Sequence, residues 1–196
     1  MSTPALPSRL GVLIIEDFLS VAEYSVLCST ASEATSSDAP VVRGSNIVDK
    51  KMRSTRRLTL SEPLTTRLNK EFAAVRPEIE RHFSISLNGH EELQLLMYGE
   101  GDFYRSHRDS SFKEGYPEYM SRRQISAVVF LNSEDEGSYE GGALVLYDLV
   151  QASNQTVGIP VRRSAGTLVA FRSDVLHEVQ PVIRGKRFSI VTWFYN

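Results

Sequence analysis

Two histidines and one aspartate are the residues of this chain best suited to hold a metal ion. His107 and Asp109 lie in the stretch Tyr-Arg-Ser-His-Arg-Asp, and His177 lies far downstream in Arg-Ser-Asp-Val-Leu-His. Residues i and i+2 of a strand point to the same side, so His107 and Asp109 can address one ion from a strand end. Two imidazoles and one carboxylate on one face of an octahedral ion leave other positions open, a donor set typical of non-haem Fe(II). The sequence therefore predicts His107, Asp109 and His177 as metal ligands, although a His-x-Asp pair alone is a common pattern.

Arg187 could bind an anion near such a metal. The residues that follow it, Phe-Ser-Ile-Val-Thr-Trp-Phe, are mostly apolar and β-prone, so we expect a buried strand. A buried charge needs a partner, and a guanidinium matches a carboxylate with two parallel hydrogen bonds. That carboxylate is either an internal Asp or Glu or, given the metal triad, a bound dicarboxylate. Lys186 would take the role if the strand were shifted by one residue.

Composition and charge favour an ordinary globular protein. The chain has 196 residues, of which 41% are hydrophobic and 23% charged, enough for one domain with a core and unlike a disordered chain. Lys and Arg number 22 against 24 Asp and Glu, for a net charge of −2. This balance argues against nucleic acid or an anionic membrane as a partner. The sequence makes no prediction of the oligomeric state.

Cysteine usage and hydropathy bear on location. Cys28 is the only cysteine, so no intramolecular disulfide can form and a reducing, cytoplasmic location is expected. Residues 1–9 lack the pattern of a signal peptide. No apolar stretch approaches the roughly 20 residues of a membrane span.

The chain divides into a helical part and a part rich in strands. After a short strand at 11–15, Ser20 and Glu23 fit a capping box for a helix to about Ala31. Residues 32–42 are predicted as a loop. Apolar residues at spacings of three and four predict a second helix over about 63–82, in which Pro77 is expected to remove a hydrogen bond and introduce a kink.

After residue 90 the pattern changes to short strands separated by turn residues. Strands are predicted at 92–98, 124–131, 142–147, 166–171, 175–182 and 188–195. Helices first and many strands after indicate a mainly β fold with supporting α-helices. We expect a single domain over 1–196, with 1–90 as mainly helical support and 91–196 as the β core.

Four segments of the chain resemble the prolyl 4-hydroxylase-like branch of the Fe(II)/2-oxoglutarate-dependent dioxygenases. They are Tyr98–Asp109, Tyr139–Leu144, Ala165–Phe171 and His177–Arg187, and the resemblance covers roughly residues 92–196. It implies a double-stranded β-helix, or jelly roll, with helices packed against its major sheet. It also implies Fe(II), 2-oxoglutarate as co-substrate, O₂, and ascorbate as reductant.

The resemblance assigns roles to individual residues. His107, Asp109 and His177 would be the iron ligands, Arg187 would hold the distal carboxylate of 2-oxoglutarate, and Tyr98 would lie beside the co-substrate. Arg53, Tyr104 and Trp193 are candidates for substrate contacts; Arg53 lies in a segment similar to an Arg-Thr-Ser-type strand of prolyl 4-hydroxylases. The family's oxygen-sensing members carry a Tyr that bonds the distal carboxylate, and here the matching residue is Phe130. Another donor is then needed, such as Tyr98, a Ser or a Thr.

The implied activity is hydroxylation of an unactivated C–H, with succinate and CO₂ as co-products. The sequence favours an amino acid or related small molecule as substrate, because no appended domain is present. One alternative is a hydroxylase of prolyl or other residues in a peptide or protein; another is a non-catalytic jelly-roll binding module. Demethylation of nucleic acid is a fourth, weaker alternative. The segments 43–57, which is basic, and 110–122 are expected to shape the substrate entrance.

Overall fold

A computed structural model describes residues 11–33, 36–43, 45–47, 49–147, 149, 151–152, 155–161 and 163–196. The segment considered for a signal peptide lies outside these residues. The described helices are α1 (Val21–Glu33), α2 (Glu62–Phe83) and α3 (Glu118–Arg122). No helix in these ranges is both long and apolar enough to cross a membrane.

Strands both precede and follow α2 along the chain. Those before it are β1 (Val12–Ile15), β2 (Ser36–Asp38), β3 (Val41–Arg43), β4 (Ser45–Ile47), β5 (Arg53–Ser54) and β6 (Arg56–Leu58). Those between α2 and residue 150 are β7 (Gly89–His90), β8 (Gln94–Tyr98), β9 (Phe103–His107), β10 (Arg123–Phe130), β11 (Tyr139–Gly141) and β12 (Leu144–Leu146). The last are β13 (Gln151–Ala152), β14 (Gln155–Thr156), β15 (Ile159–Val161), β16 (Leu168–Arg172), β17 (His177–Val179), β18 (Val182–Gly185) and β19 (Arg187–Tyr195).

Two antiparallel sheets form the centre of the fold. The larger sheet has the order β1-β16-β10-β19-β8-β6-β2, with β7 also paired to β19. The smaller sheet has the order β15-β12-β17-β9-β5. Val128 and Phe171 of the larger sheet share a buried cluster with Leu144 and Val179 of the smaller one. The sheets therefore face each other, as in the jelly roll that the resemblance implies.

The long helices cover the other face of the larger sheet. Leu68, Phe72 and Ile79 form the buried stripe of α2 and share a cluster with Leu95 and Ile190 of the sheet. This stripe is the one that the spacing of apolar residues predicts. Full burial of one apolar side chain of this size contributes roughly 1.5–3 kcal/mol to the stability of the folded state. The helices thus hold the sheet from behind and leave its opposite face to the site.

Alternation along β10 and β19 decides which side chains enter the space between the sheets. In β10, the odd-numbered Ile125, Ala127 and Val129 belong to the helix-side cluster. In β19, the helix side takes the even-numbered Phe188, Ile190 and Phe194. Successive side chains of a strand point to opposite faces, so the intervening residues face inward. On β19 these are Arg187, Ser189, Val191 and Trp193.

Most predicted elements are confirmed, with one clear error. The capping box at the start of α1 is present, since the Glu23 carboxylate accepts a hydrogen bond from the Ser20 backbone N–H at 2.6 Å. The helix α2 runs through Pro77. The prediction of a loop over 32–42 is wrong in the described residues, because α1 extends to Glu33, residues 36–38 form β2 and pair with β6, and β3 begins at Val41. Residues 34 and 35 lie outside the described residues. Local composition there favours a loop, but tertiary strand pairing overrides it.

Candidate metal and anion site

Strand pairing brings the two histidines together with Asp109. His107 ends β9, His177 begins β17, and the two residues are directly opposite each other in the antiparallel register. Asp109 follows two residues after β9. The Nε2 atom of His107 lies 3.4 Å from Asp109 Oδ1, and the Nε2 atom of His177 lies 3.4 Å from Asp109 Oδ2. One ligand atom from each of the three residues therefore lies within 4.8 Å of the others.

Backbone carbonyls orient both imidazole rings. The Nδ1–H of His107 donates to the carbonyl of Arg105 at 2.8 Å, and that of His177 donates to the carbonyl of Val175 at 2.9 Å. This directs each Nε2 atom toward the Asp109 carboxylate. A second hydrogen bond of this kind is the usual way in which proteins fix the tautomer of a metal-binding histidine.

Asp109 is held by side-chain and backbone contacts. The Ser126 hydroxyl donates to Asp109 Oδ2 at 2.6 Å, and it also lies 3.1 Å from the Ser173 hydroxyl. The backbone N–H groups of Asp109 and Ser110 donate to the Ser173 carbonyl at 2.9 and 3.0 Å. Asp109 is 7% exposed, so these contacts replace hydrogen bonds to water.

The surroundings of His107 and Asp109 favour the protonation states that these two residues need as metal ligands. Burial, together with the neighbouring His177, lowers the pKa of His107 to about 4. Burial alone would raise the pKa of Asp109, but His177 and the hydrogen bonds from the two imidazoles hold it well below its usual range. Burial likewise disfavours charged His177, yet the Asp109 carboxylate raises the pKa of that ring. A neutral His107 and an ionised Asp109 at neutral pH are the forms that coordinate a metal.

The donor set fits Fe(II). Two neutral imidazole nitrogens and one carboxylate oxygen converge from one side of the space between the sheets. Such a facial set occupies three positions and leaves the others for exogenous ligands, which is the arrangement used with non-haem Fe(II). His107, Asp109 and His177 are thus the residues that would hold the ion.

Arg187 forms a second, cationic feature of the same cavity. The side chain is 1% exposed, and its Nη1 donates to the Ser189 hydroxyl at 3.1 Å. Its Nε and Nη2 have no hydrogen-bond partner among the residues that the structure describes. Nε and Nη2 form one edge of the guanidinium, and that edge accepts a carboxylate through two parallel hydrogen bonds. In the described part of the chain, no acid forms an ion pair with it, so the edge fits one carboxylate of a bound dicarboxylate.

Aromatic residues border this guanidinium. The rings of Tyr98 and Phe130 lie 5.4 and 5.1 Å from its central carbon, and Tyr98 is directly opposite Arg187 in the register of β8 and β19. Lys186 is exposed, so the one-residue shift considered from the sequence does not occur. Phe130 has no hydroxyl to offer a carboxylate. Ser189 lines the cavity and contacts Arg187, so it can supply the missing donor.

Arg53 and Tyr104 stack next to the metal ligands. The Tyr104 ring lies 3.5 Å from the His107 ring at an interplanar angle of 18°, and the Arg53 guanidinium lies 4.7 Å from Tyr104. Arg53 is 7% exposed and donates to the Pro40 carbonyl at 3.0 Å. Its Nε has no partner in the described ranges. Burial raises the pKa of the Tyr104 hydroxyl.

Trp193 and the remaining candidates line one cavity of about 590 Å³. Trp193 is 7% exposed, and the Arg123 guanidinium lies 3.8 Å from its ring. The cavity wall includes all eight residues singled out from the sequence, namely His107, Asp109, His177, Arg187, Tyr98, Arg53, Tyr104 and Trp193. Residues of both expected entrance segments, among them Met52 and Tyr116, also line it. Residues 44 and 48 of the basic segment lie outside the described residues.

Sequence reasoning missed the residues that support this site. Ser126, Ser189 and Arg123 carry no spacing motif and are ordinary residue types within strands. The signal that could have found Ser126 is a polar residue in the otherwise apolar run Ile-Ser-Ala-Val-Val-Phe of a buried strand. Its inward phase follows from strand alternation, but its partner Asp109 depends on tertiary placement.

Comparison with known proteins agrees with this geometry. Residues 93–195, just over half of the chain, match the family model of the 2OG-Fe(II) oxygenase superfamily. A PKHD-type hydroxylase of Shewanella baltica is 36% identical over 99 residues, which is 50% of this chain and 40% of the relative. A PKHD-type hydroxylase of Pseudomonas putida is 35% identical over 99 residues, covering 49% and 39%. The chain thus spans about two-fifths of the length of these curated relatives.

Solved structures share the fold. A crystal structure of a Pseudomonas putida prolyl-4-hydroxylase superposes with a TM-score of 0.71 at 24% identity, covering 95% of this chain and 92% of that one. A Trichoplax adhaerens prolyl hydroxylase, solved with a peptide fragment of the hypoxia inducible factor, gives 0.68 at 19% identity, covering 96% and 85%. The predicted double-stranded β-helix is confirmed by these likenesses.

Proposed function

Because the chain belongs to the 2OG-Fe(II) oxygenase superfamily, we propose that it is an Fe(II)- and 2-oxoglutarate-dependent hydroxylase of prolyl residues in a peptide or protein. The observation that carries the activity is the convergence of His107, Asp109 and His177 beside the partnerless edge of Arg187. A binding module would have no need of both features. The peptide substrate is supported by the relatives, one of which is a prolyl-4-hydroxylase and another of which was solved with a peptide fragment.

The residues of the chain divide the work. When bound, Fe(II) with 2-oxoglutarate and O₂ supplies the oxidation that turns C–H into C–OH, with succinate and CO₂ as co-products. His107, Asp109 and His177 hold the ion on one side of the cavity. Arg187 orients the dicarboxylate through its distal carboxylate, with Ser189 and Tyr98 beside it. Val128, Leu144 and Val179 line the cavity. Their apolar side chains favour the exclusion of water from that part of it.

A second candidate is the hydroxylase of a free amino acid, which the sequence favours. One observation supports it: the buried Arg53 lines the cavity and its Nε has no partner in the described part of the chain. That N–H could bind the α-carboxylate of a free amino acid. In a peptide the same group could instead donate to a backbone carbonyl.

The test measures succinate from purified protein with Fe(II), ascorbate and 2-oxoglutarate, and product mass by one added oxygen atom. Three substrates are compared: free L-proline, proline blocked at both ends as amides, and proline-containing peptides. A peptidyl hydroxylase converts blocked proline or peptides and leaves free proline unchanged; an amino-acid hydroxylase does the reverse. If no substrate raises succinate above the level of the His107→Ala variant, the proposed activity is contradicted.

A further inference from the structure

Arg123 connects one metal ligand to the larger sheet. It is 8% exposed at the start of β10, and its Nε and Nη2 each lie 2.6 Å from one oxygen of the Glu91 carboxylate. Its remaining nitrogen, Nη1, donates to the backbone carbonyl of Asp109 at 3.1 Å. The guanidinium lies 3.8 Å from the Trp193 ring and 5.1 Å from the Tyr119 ring. Each nitrogen of this side chain therefore has a defined acceptor.

Glu91 is itself fixed to β19. Its backbone N–H donates to the Trp193 carbonyl at 2.9 Å, and its carbonyl accepts from the Thr192 hydroxyl at 2.7 Å. A bidentate pair between a carboxylate and a guanidinium has a defined geometry as well as a favourable energy. Contacts therefore run without a gap from β19 through Glu91 and Arg123 to Asp109.

Asp109 directly precedes a segment that lines the cavity. It is the last residue before the segment 110–122, which carries Ser111, Lys113 and Tyr116 along the cavity wall. Any movement of that segment would pull on the Asp109 backbone. The carboxylate is only one methylene from the backbone, and a metal site tolerates displacements of roughly 0.5 Å. The Arg123 contact joins the two ends of the segment at its base.

We propose that Arg123 is a positioning residue that fixes the Asp109 backbone, so that the carboxylate keeps its place while the segment 110–122 contacts substrate. Glu91 and Trp193 hold the guanidinium in the orientation that this contact requires. The inference rests on the proposed metal site. It assigns Arg123 a role on metal binding that is separate from any contact with the substrate.

The test is the affinity for Co(II), used as a probe in place of Fe(II), in Arg123→Lys and in the matched Arg122→Lys. A lysine keeps the charge opposite Glu91 but has no planar fork to reach Asp109 at the same time. Loss of such a supporting contact typically weakens metal binding by about 10- to 100-fold, and we expect at least about tenfold for Arg123→Lys. Arg122 is exposed and contacts the Asn196 carbonyl, so Arg122→Lys should bind Co(II) like the unmodified protein.

Folding is checked by thermal unfolding of each metal-free variant. The double variant Arg123→Gln, Glu91→Gln removes both charges of the ion pair at once and should fold, yet it should lose Co(II) affinity like Arg123→Lys. Unchanged Co(II) affinity in either folded variant would overturn the positioning role and assign Arg123 to stability alone. If the unmodified protein does not bind Co(II) at all, or binds it equally well after His107→Ala, the proposed metal site itself fails.

Discussion

Replacing Arg187 by methionine tests the anion site in binding and in stability at once. The partnerless Nε and Nη2 edge can form two charge-assisted hydrogen bonds to one carboxylate. Hydrogen bonds to charged groups contribute about 1.5–3 kcal/mol each, so two are worth about 3–6 kcal/mol. At about 1.4 kcal/mol per tenfold, the affinity for 2-oxoglutarate should fall by about 10²- to 10⁴-fold. Calorimetric titration with Mn(II) present and O₂ excluded measures this change.

The stability of the ligand-free protein separates a ligand site from an internal ion pair. If Arg187 serves a bound carboxylate, Arg187→Met removes a buried charge that has no acidic partner in the described chain, and the melting temperature should hold or rise. If a protein carboxylate were its partner, the same change would leave that acid buried without a partner and lower the free energy of unfolding by about 3–5 kcal/mol.

The matched control is Arg184→Met on the neighbouring strand β18. Arg184 is exposed, with 74% of its side-chain area accessible and Nε 3.7 Å from the Glu140 carboxylate. An exposed pair of this kind contributes little to stability, so both affinity and melting temperature should stay unchanged. Wild-type affinity for 2-oxoglutarate in Arg187→Met, or a loss of affinity equal to that in Arg184→Met, would refute the assignment.

Three further predictions concern other residues. Ser126→Ala removes the hydroxyl that donates to Asp109 at 2.6 Å, and Co(II) titration should show binding weaker by about tenfold, whereas unchanged binding would make this contact irrelevant to the metal. Gly142→Ala would place a methyl group 2.9 Å from Val182 Cγ2 and 3.1 Å from Arg187 Cδ, at a residue with φ of +61°. We expect the Arg187 side chain to shift and the KM for 2-oxoglutarate to rise in steady-state assays; an equal KM would show that Arg187 keeps its position. Burial raises the pKa of Cys28 to about 11, so its alkylation by iodoacetamide should be slow at pH 8 and accelerate as the pH approaches 11; a rate already at its plateau at pH 8 would contradict this.

The clustering of His107, Asp109 and His177 can be predicted from the sequence, because residue type and spacing indicate which side chains could bind one metal. His107 and Asp109 are two positions apart, so the remaining inference is that the strand of His177 lies next to them. The buried strand after Arg187 and the stripe on α2 follow from periodicity, which depends on local residues alone. These are the parts in which sequence and structure agree.

The supporting contacts could not be derived in the same way. Arg123 meets Asp109 and Glu91 only after β10, the segment 110–122 and β19 have come together. Pairing of β2 with β6 likewise joins residues about 20 positions apart, so local composition predicts a loop where residues 36–38 form a strand. Such contacts are decided by tertiary packing, to which single-residue propensities contribute little.

A structure of the protein with Mn(II) and 2-oxoglutarate, prepared without O₂, tests the central claim most directly. The account predicts the ion on Nε2 of His107, Nε2 of His177 and the carboxylate of Asp109, with the distal carboxylate of 2-oxoglutarate on the Nε and Nη2 edge of Arg187. An ion bound by other residues, or a 2-oxoglutarate that leaves this edge of Arg187 without a carboxylate, would contradict it.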